Sequence, residues 1–411
     1  MDTIRISSAP RPARRAAALA LRLVCLTLPA GFGAAPAAAQ VFQSQAPQAM
    51  LFDTETGSVL YQKGADEPFS PGSLVKLMTL EVVFRELRES RLTLEAEVAV
   101  SNNAWRKGGI GSRMFVEPRH RPRIADLISG TTALAGNDAA IVLAEAVAGS
   151  EEKFTEVMTE RAKAIGLSAS VFKNASGLSA PGQVMTLRDI TRLSDHLIRA
   201  YPDQYGFFAL PDFTWNKIKQ QNRNPLLIMN IGADGLMPAN SEDGSFALAG
   251  SAVQSGQRLI VAVAGLKAAG DRAAEARKLL DWGFRSFERR KLFQDRTALA
   301  DLSVFGGVRQ SVPVTVPNPV EALVPRGSLD RLTAEVVFRG PLPAPIRAGD
   351  KVGTLRVMRA GQPMLETAVV ALEDVEAGAL RHRAYEAGYE LVRQWLKQGF
   401  AAIFSRDKPK A

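Results

Sequence analysis

The spacing of apolar residues changes along this chain in an order that strongly constrains its fold. Residues 48–62 alternate around a turn at 54–57, as the two strands of a hairpin do. Amphipathic helices are then predicted over residues 73–88, 137–147, 151–165 and 186–199. Apolar runs at 247–252 and 257–266 predict buried strands, and 272–288 predicts a further helix. Strands on both sides of a block of helices indicate an α+β domain whose helices pack on an antiparallel sheet.

The pattern changes again near residue 294, where a second domain is predicted to begin. Between residues 299 and 379, short β-type runs such as VPVTV and LTAEVVF are separated by Pro and Gly, without helical spacing. A chain of 411 residues is also too long for one average domain. We therefore predict a first domain over residues 40–293 and a small all-β domain over residues 294–380.

The N-terminal segment, residues 1–39, has the three parts of a secretory signal peptide. Five arginines precede an apolar run at 23–35, and Ala37 and Ala39 form an A-x-A cleavage site. The alternative is an N-terminal membrane anchor, although the apolar run is too short to span a bilayer well. Cleavage after Ala39 would remove Cys25, the single cysteine, and leave a chain suited to an oxidising compartment outside the cytoplasm.

The C-terminal segment, residues 381–411, predicts a basic amphipathic helix and a basic tail. Aromatic and aliphatic residues recur there at helical spacing from Tyr385 to Ile403, and arginines and lysines accompany them. Such a helix can lie in a membrane interface, whereas Arg393 and Lys397 argue against a membrane span. The alternative is a helix that packs on the β domain.

Composition excludes several classes of function. One cysteine excludes a disulfide framework and a Cys-based zinc site. Three histidines leave little room for a His-rich metal site or a Ser-His-Asp triad. We therefore predict no metal and no cofactor. The formal charge of +9 does not indicate nucleic-acid binding, because no aromatic-basic binding module accompanies it.

Ser73 and Lys76 form the pattern S-x-x-K at the start of the first predicted helix. The three-residue spacing puts both side chains on one face of the helix, one turn apart. Lys76 can accept the proton of Ser73 if burial or a neighbouring cation keeps its amine neutral. The helix N-terminus adds partial positive charge where an oxyanion could form. The alternative for this short pattern is a capping serine beside a solvated lysine.

From Ala49 onward the sequence resembles the low-molecular-weight penicillin-binding proteins, the D-alanyl-D-alanine carboxypeptidases. The matching stretches are LFDTETGSVLYQKGADEPFSPGSLVKLMT, GNDAAIVLAEAVAGS, NASGLSAPGQVMTLRDI, FTWNKIKQQNRNPLL, ADGL and GSAVQSGQRLIVAVAGLKAAGDRAAEARKLLDWGFRSFE. They cover about residues 48–290, and the β-rich and C-terminal segments fit the same family's architecture. The resemblance implies a penicillin-binding-protein/β-lactamase-like fold for residues 40–293. The predicted signal peptide and the predicted basic helix at 381–411 together predict a periplasmic protein attached peripherally to the inner membrane.

The resemblance further implies acyl transfer by a Ser-Lys pair. Ser73 would be the nucleophile and Lys76 the general base. Asn137 would hold Lys76 or the main chain of a peptidoglycan stem peptide, and Arg272 would contact the terminal carboxylate of that peptide. Ser73 would attack the amide between the two D-alanines, D-alanine would leave, and water would hydrolyse the acyl-enzyme. β-Lactams mimic this substrate and would acylate Ser73.

Two of the family's three motifs are altered in this sequence. The family's Ser-Gly-Asn is Ala-Gly-Asn here, and Ala135 lacks the hydroxyl that would relay a proton to the leaving amine. The family's Lys-Thr-Gly is replaced here by Met237-Pro238-Ala239. This segment has no cation and no hydroxyl, and Pro238 has no main-chain N–H. We expect these changes to slow turnover more than acylation, because ring strain assists attack on a β-lactam.

Two classes of function remain open on the sequence alone. One is a peptidoglycan-trimming hydrolase, which the intact Ser73, Lys76, Asn137 and Arg272 favour. The other is a catalytically impaired cell-wall binding or scaffold protein, which the two altered motifs favour. A β-lactamase is disfavoured, because the long β domain and the C-terminal helix are not expected in one. The QQNRN stretch is expected to shape the domain rather than to contact substrate.

Overall fold

The computed structural model describes residues 2–6, 42–241, 243–326 and 332–379. Its strands are β1 (Asp2–Ile6), β2 (Gln48–Asp53), β3 (Val59–Lys63), β4 (Asp212–Trp215), β5 (Ile218–Gln221), β6 (Ala233–Asn240), β7 (Phe246–Gln254), β8 (Gln257–Leu266), β9 (Phe287–Phe293), β10 (Ala300–Phe305), β11 (Ser311–Thr315), β12 (Val320–Pro325), β13 (Leu332–Phe338), β14 (Leu342–Pro343), β15 (Lys351–Arg359) and β16 (Gln362–Ala371). Its α-helices are α1 (Val75–Arg88), α2 (Asn102–Gly108), α3 (Ile124–Thr132), α4 (Asn137–Ala148), α5 (Glu151–Ala164), α6 (Leu187–Ala200), α7 (Pro202–Tyr205) and α8 (Ala269–Ser286). Short 3₁₀ turns lie at Gly72–Leu74, Gly206–Ala209 and Pro225–Ile228.

The first domain is built on a sheet of order β3-β2-β8-β7-β6, in which every neighbouring pair is antiparallel. Helices α1, α3, α4, α5 and α6 share one apolar cluster with one face of this sheet, and α8 shares a second cluster with the other face. Side chains of β8 alternate between the two faces, since Val261 and Val263 belong to the α8 cluster whereas Ala262 and Ala264 belong to the other. The predicted α+β architecture is confirmed.

Helix α1 is buried along most of its length. All residues from 75 to 84 are buried, so protein surrounds this part of the helix on every side. Two charged residues of this helix, Lys76 and Glu81, are buried as well. Glu81 is compensated locally, because its Oε1 accepts hydrogen bonds from Arg161 Nε at 2.8 Å and from the Tyr201 hydroxyl at 3.0 Å. Lys76 depends instead on the groups that form the candidate site.

Two glycines allow the 3₁₀ turn that precedes α1 to contact neighbouring main chain. Gly72 has a φ of +51°, and a Cβ at this position would lie 2.1 Å from the carbonyl oxygen of Asn240. Gly177 has a φ of +79°, and a Cβ there would lie 1.9 Å from the carbonyl oxygen of Gly72. The turn that carries Ser73 is therefore clamped between the end of β6 and the loop that contains Gly177.

The second domain consists of strands, as predicted. Its larger sheet has the order β1-β13-β15-β16-β11-β10-β14, and β9 and β12 form a two-stranded sheet. Because β9 precedes residue 294, this pairing crosses the predicted domain boundary. The two domains are joined by hydrogen bonds from Leu323 N to Ser58 Oγ at 3.2 Å and from Arg359 to the Leu60 carbonyl at 3.0 Å.

The predicted terminal segments lie mostly outside the described residues. Of residues 1–39, only the strand β1 is described, and it pairs antiparallel with β13. The predicted basic helix at 381–411 lies outside the described residues altogether. Across the described ranges, we find no helix with both the length and the apolar character needed to cross a membrane.

Replacing Gly177 with Ala should destabilise the first domain more than the same change at Gly166. The two glycines have φ values of +79° and +80°, so both variants bear the backbone cost of a left-handed alanine, about 1–2 kcal/mol. A Cβ at Gly166 meets no atom within 4 Å, whereas one at Gly177 collides with Gly72. The collision should add about 1–3 kcal/mol. Chemical denaturation measures the loss in unfolding free energy of each variant. Equal losses would contradict the close contact between Gly177 and Gly72.

Candidate active site

Ser73 and Lys76 lie together at the start of α1. Ser73 belongs to the 3₁₀ turn Gly72–Leu74, and Lys76 belongs to the first turn of α1. The Lys76 side chain is fully buried, and its Nζ lies within hydrogen-bond distance of Ser73 Oγ, at 3.3 Å. Nζ also donates to Asn137 Oδ1 at 2.6 Å and to the main-chain carbonyl of Ser176. The alternative of a capping serine beside a solvated lysine is therefore wrong.

The surroundings of Lys76 favour a neutral amine. Burial lowers the pKa of Lys76 to about 7, and the nearby Asp138 carboxylate acts in the opposite direction. A neutral amine has two N–H donors and one lone pair. If the donors go to Asn137 Oδ1 and the Ser176 carbonyl, the lone pair is directed at Ser73 Oγ. Lys76 can then accept the Ser73 proton near neutral pH.

Asn137, the first residue of α4, is fixed in orientation by its own hydrogen bonds. Its main-chain N–H donates to the Ser112 carbonyl at 2.8 Å, and its Nδ2 donates to the Ile110 carbonyl at 2.7 Å. Because the amide nitrogen is committed to a carbonyl, the amide oxygen faces Lys76. The structure thus brings Asn137 to the Ser-Lys pair.

Asp138 is a contributor to the site that the sequence analysis missed. Its buried carboxylate accepts hydrogen bonds from the main-chain N–H groups of Met114 and Phe115, both at 2.8 Å, and of Val116 at 3.1 Å. Burial raises the pKa of this carboxyl, and the N–H groups oppose the shift. Asp138 holds the loop at 114–116 against α4. The signal for it was an acidic residue in the first turn of a predicted helix, beside Asn137.

Ser73 opens into a cleft of about 390 Å³. Its walls are formed by Ser70, Gly111, Ser112, Ala135, Asn137, Gly177, Leu178, Ser179, Arg223, Pro238, Ala239, Asn240, Ser241 and Arg272. Ala135 has a φ of +52° and presents only a methyl group to the cleft. Among the described residues, no group of three or more His, Cys, Asp or Glu side chains is placed to hold a metal ion.

Strand β6, which carries the third motif, is an edge of the sheet and forms one wall of the cleft. Pro238 has no N–H, so an extended peptide laid along this edge would lack one main-chain partner. Met237 is fully buried in the main apolar cluster of the first domain, and only Pro238 and Ala239 of this motif line the cleft. The third motif therefore presents neither a charge nor a hydroxyl to a ligand.

Two arginines line the cleft, and only one of them was singled out from the sequence. Arg272 lies in the first turn of α8, and its Nη1 donates to the Ala239 carbonyl at 2.8 Å. Arg223 comes from the QQNRN stretch and is exposed, with its Nη2 donating to Gln220 Oε1 at 3.3 Å. This stretch therefore adds a cation to the cleft wall besides shaping the domain. The missed signal was a cation inside a stretch that carries the resemblance.

Known proteins match both domains of this chain. Residues 34–268 match the D-alanyl-D-alanine carboxypeptidase family, and residues 287–377 match the C-terminal domain of penicillin-binding protein 5. The chain is 35% identical over 358 residues to D-alanyl-D-alanine carboxypeptidase DacC of Escherichia coli. The aligned residues cover 86% of this chain and 90% of that protein.

Solved structures give the same assignment. Penicillin-binding protein 5 from Haemophilus influenzae superposes with a TM-score of 0.68 and 30% identity, covering 82% of this chain and 99% of its own. Penicillin-binding protein D2 from Listeria monocytogenes, solved in an ampicillin-bound form, has a TM-score of 0.54 and 27% identity, covering 60% of this chain and 99% of its own. This chain therefore belongs to the D-alanyl-D-alanine carboxypeptidase family of penicillin-binding proteins.

Proposed function

We propose that Ser73 of this protein is acylated by peptidoglycan stem peptides that end in D-Ala-D-Ala and by β-lactams. The observation that carries the proposal is the geometry of the Ser-Lys pair. A fully buried amine, whose pKa burial lowers to about 7, lies 3.3 Å from the serine hydroxyl at the mouth of a cleft. The ampicillin-bound form of the Listeria monocytogenes protein supports β-lactams as ligands.

The acylation step uses groups that are present. Lys76 Nζ takes the Ser73 proton as Oγ bonds to the carbonyl carbon of the penultimate D-alanine, and the carbonyl π electrons move to its oxygen. The N-terminus of α1 places partial positive charge near this oxyanion. The C–N bond then breaks and its electron pair leaves on the amine, which needs a proton. Lys76 Nζ returns the Ser73 proton to this amine directly or through a water molecule, and the step is slow because Ala135 has no hydroxyl to relay the proton.

Acylation by a β-lactam and turnover of a peptide should therefore differ. In a β-lactam, opening the strained ring assists C–N cleavage, and the amine stays tethered to the acyl group. A missing general acid–base typically costs ~10²–10⁴ in rate, and a missing electrostatic donor costs ~10²–10³. Because residues of one site act as a unit, these costs do not simply multiply. The expected protein is a slow carboxypeptidase that is readily acylated by penicillin.

A second candidate is a catalytically impaired homologue that acts as a cell-wall binding or scaffold protein. The observation in its favour is that Ala135, Pro238 and Ala239 give the cleft neither the relay hydroxyl nor the third-motif polar groups. Both candidates hold a stem peptide in the same cleft. They differ in whether D-alanine is released.

The proposed site of action is the periplasmic face of the inner membrane. The predicted signal peptide at residues 1–39 supports export, and the predicted basic helix at 381–411 supports peripheral attachment to anionic lipid. Peptidoglycan is the substrate polymer in that compartment.

Penicillin should form a covalent adduct on Ser73 of the mature protein. Mass spectrometry of the intact protein and of its peptides should find one added penicillin, located on Ser73. The Ser73→Ala variant should stay unmodified, whereas Ser179→Ala should be modified like the wild type, because Ser179 also lines the cleft but has no lysine partner in the described contacts. An unmodified wild-type protein would contradict the proposal.

The rate of acylation should increase as the pH rises through about 7 and then level off. The lowered pKa of Lys76 is about 7, so the amine loses its proton over this range, and only the neutral amine can accept the Ser73 proton. Lys76→Arg keeps a charge at every accessible pH and should lose at least ~10² in rate. Labelling with a fluorescent penicillin at a series of pH values measures the profile. A rate that does not change across this range would be inconsistent with Lys76 as the base.

Restoring a hydroxyl at residue 135 should accelerate peptide turnover. We expect Ala135→Ser to raise D-alanine release from a stem pentapeptide by about tenfold or more, because a proton relay returns while the third motif stays altered. Ala135→Gly is the matched control, since it relieves the positive φ of +52° without adding a hydroxyl. Release is compared with that of Ser73→Ala. If Gly and Ser act alike, the hydroxyl is not what limits turnover.

A further inference from the structure

Asn240 occupies one side of the arginine that the resemblance assigns to the terminal carboxylate of the substrate. Arg272 Nη1 donates to the Ala239 carbonyl at 2.8 Å and to Asn240 Oδ1 at 2.9 Å. Arg272 Nε is buried and has no hydrogen-bond partner within the described residues. The guanidinium carbon also lies 5.3 Å from the centre of the Phe246 ring, which holds the group from one face.

A count of donors shows what Arg272 can offer a ligand. A guanidinium has five N–H groups, two on each Nη and one on Nε. Both donors of Nη1 are used, and Nε is enclosed by protein. Only Nη2 is left for a ligand. A carboxylate binds a guanidinium most strongly through two parallel hydrogen bonds from two different nitrogens. Arg272 in this arrangement offers one nitrogen.

We propose that Asn240 is a specificity-determining residue that competes with the substrate's terminal carboxylate for Arg272. This inference rests on the proposed function, since it assumes that the cleft holds a peptide with a free C-terminus. A peptide that ends in a carboxylate must displace the Asn240 amide from Nη1 to be bound by two nitrogens. A peptide with an amidated C-terminus has no such requirement. The cleft therefore prefers the peptide acid over the peptide amide less strongly than it would if Asn240 did not bind Arg272.

The position of Asn240 makes this displacement feasible. Asn240 is the last residue of β6, it pairs with Phe246 on β7, and it is exposed to solvent. Its amide can turn into water without leaving a buried polar group unpaired. A carboxylate oxygen is also a stronger acceptor from a guanidinium than a neutral amide oxygen. Because Pro238 has no N–H with which the edge of β6 could hold a ligand instead, the contact with Arg272 carries more of the affinity.

Binding of two matched peptides tests the inference. The protein carries Ser73→Ala so that no acylation occurs, and calorimetry measures the affinity for a stem peptide ending in D-Ala-D-Ala and for the same peptide with a C-terminal amide. Asn240→Ala should tighten binding of the acid about tenfold and leave the amide unchanged. Asn240→Asp, which pairs more strongly with Arg272, should weaken binding of the acid by a similar factor.

A matched control is available on α2. Asn103 is also exposed, and its Nδ2 donates to Glu145 Oε1 at 2.9 Å outside the cleft. Asn103→Ala therefore removes an exposed asparagine with one charged partner and should change neither affinity. In an Arg272→Lys background, Asn240→Ala should no longer favour the acid over the amide. If Asn240→Ala weakens binding of the acid or leaves it unchanged, the inference is overturned.

A readout without any peptide separates this inference from the proposed function. An arginine-directed dicarbonyl reagent needs access to the guanidinium nitrogens, so Asn240→Ala should increase the rate of modification at Arg272, measured by peptide mass spectrometry. Asn103→Ala should not. If modification increases while neither peptide binds, Asn240 does cover Arg272 and the proposed function is what fails. If the rate at Arg272 is unchanged, Asn240 does not compete for the guanidinium and the inference fails.

Discussion

The candidate site depends on the burial of one amine, that of Lys76, inside an apolar domain. A buried amine is unfavourable unless it is neutral or well hydrogen-bonded. Here the acceptors come from two other elements, since Asn137 begins α4 and Ser176 lies in the loop between α5 and α6. Both elements must therefore pack on α1 for the lysine to be tolerated. The same packing directs the lysine at Ser73, so folding the domain also assembles the reacting pair.

Close contacts of the main chain hold this arrangement in place. The turn around Ser73 fits only because Gly72 and Gly177 lack a Cβ, and the Asp138 carboxylate fixes the loop that faces α4. Each of these contacts leaves the side chains of the site with little freedom. A hydroxyl and an amine that are held in this way do not lose further conformational entropy when they react. Preorganisation of the pair is thus a property of the surrounding backbone more than of Ser73 and Lys76 themselves.

Local sequence patterns were sufficient for the elements that carry the site, but not for contacts between distant segments. The S-x-x-K pattern and the apolar spacing after it placed Ser73 and Lys76 at the start of a helix, and the strands β7 and β8 followed from their apolar runs. Asp138 bonds to N–H groups between 22 and 24 residues away. Arg272 bonds to Asn240 across 32 residues. No spacing rule links such residues, because the fold alone brings them together.

The intact and altered parts of the site differ in what their side chains do for stability. Removing Lys76 would leave Asn137 Oδ1 and the Ser176 carbonyl without their buried partner, which is costly. At the altered positions, the replacements themselves favour the stability of the fold. Ala135, Met237 and Ala239 are 4%, 0% and 3% exposed, and each places an apolar side chain where a polar one or a glycine would stand in the family. Stability therefore favours both the kept pair and the altered motifs, whereas turnover favours only the first. The two pressures therefore agree on the Ser73–Lys76 pair and give different answers only at the altered motif positions.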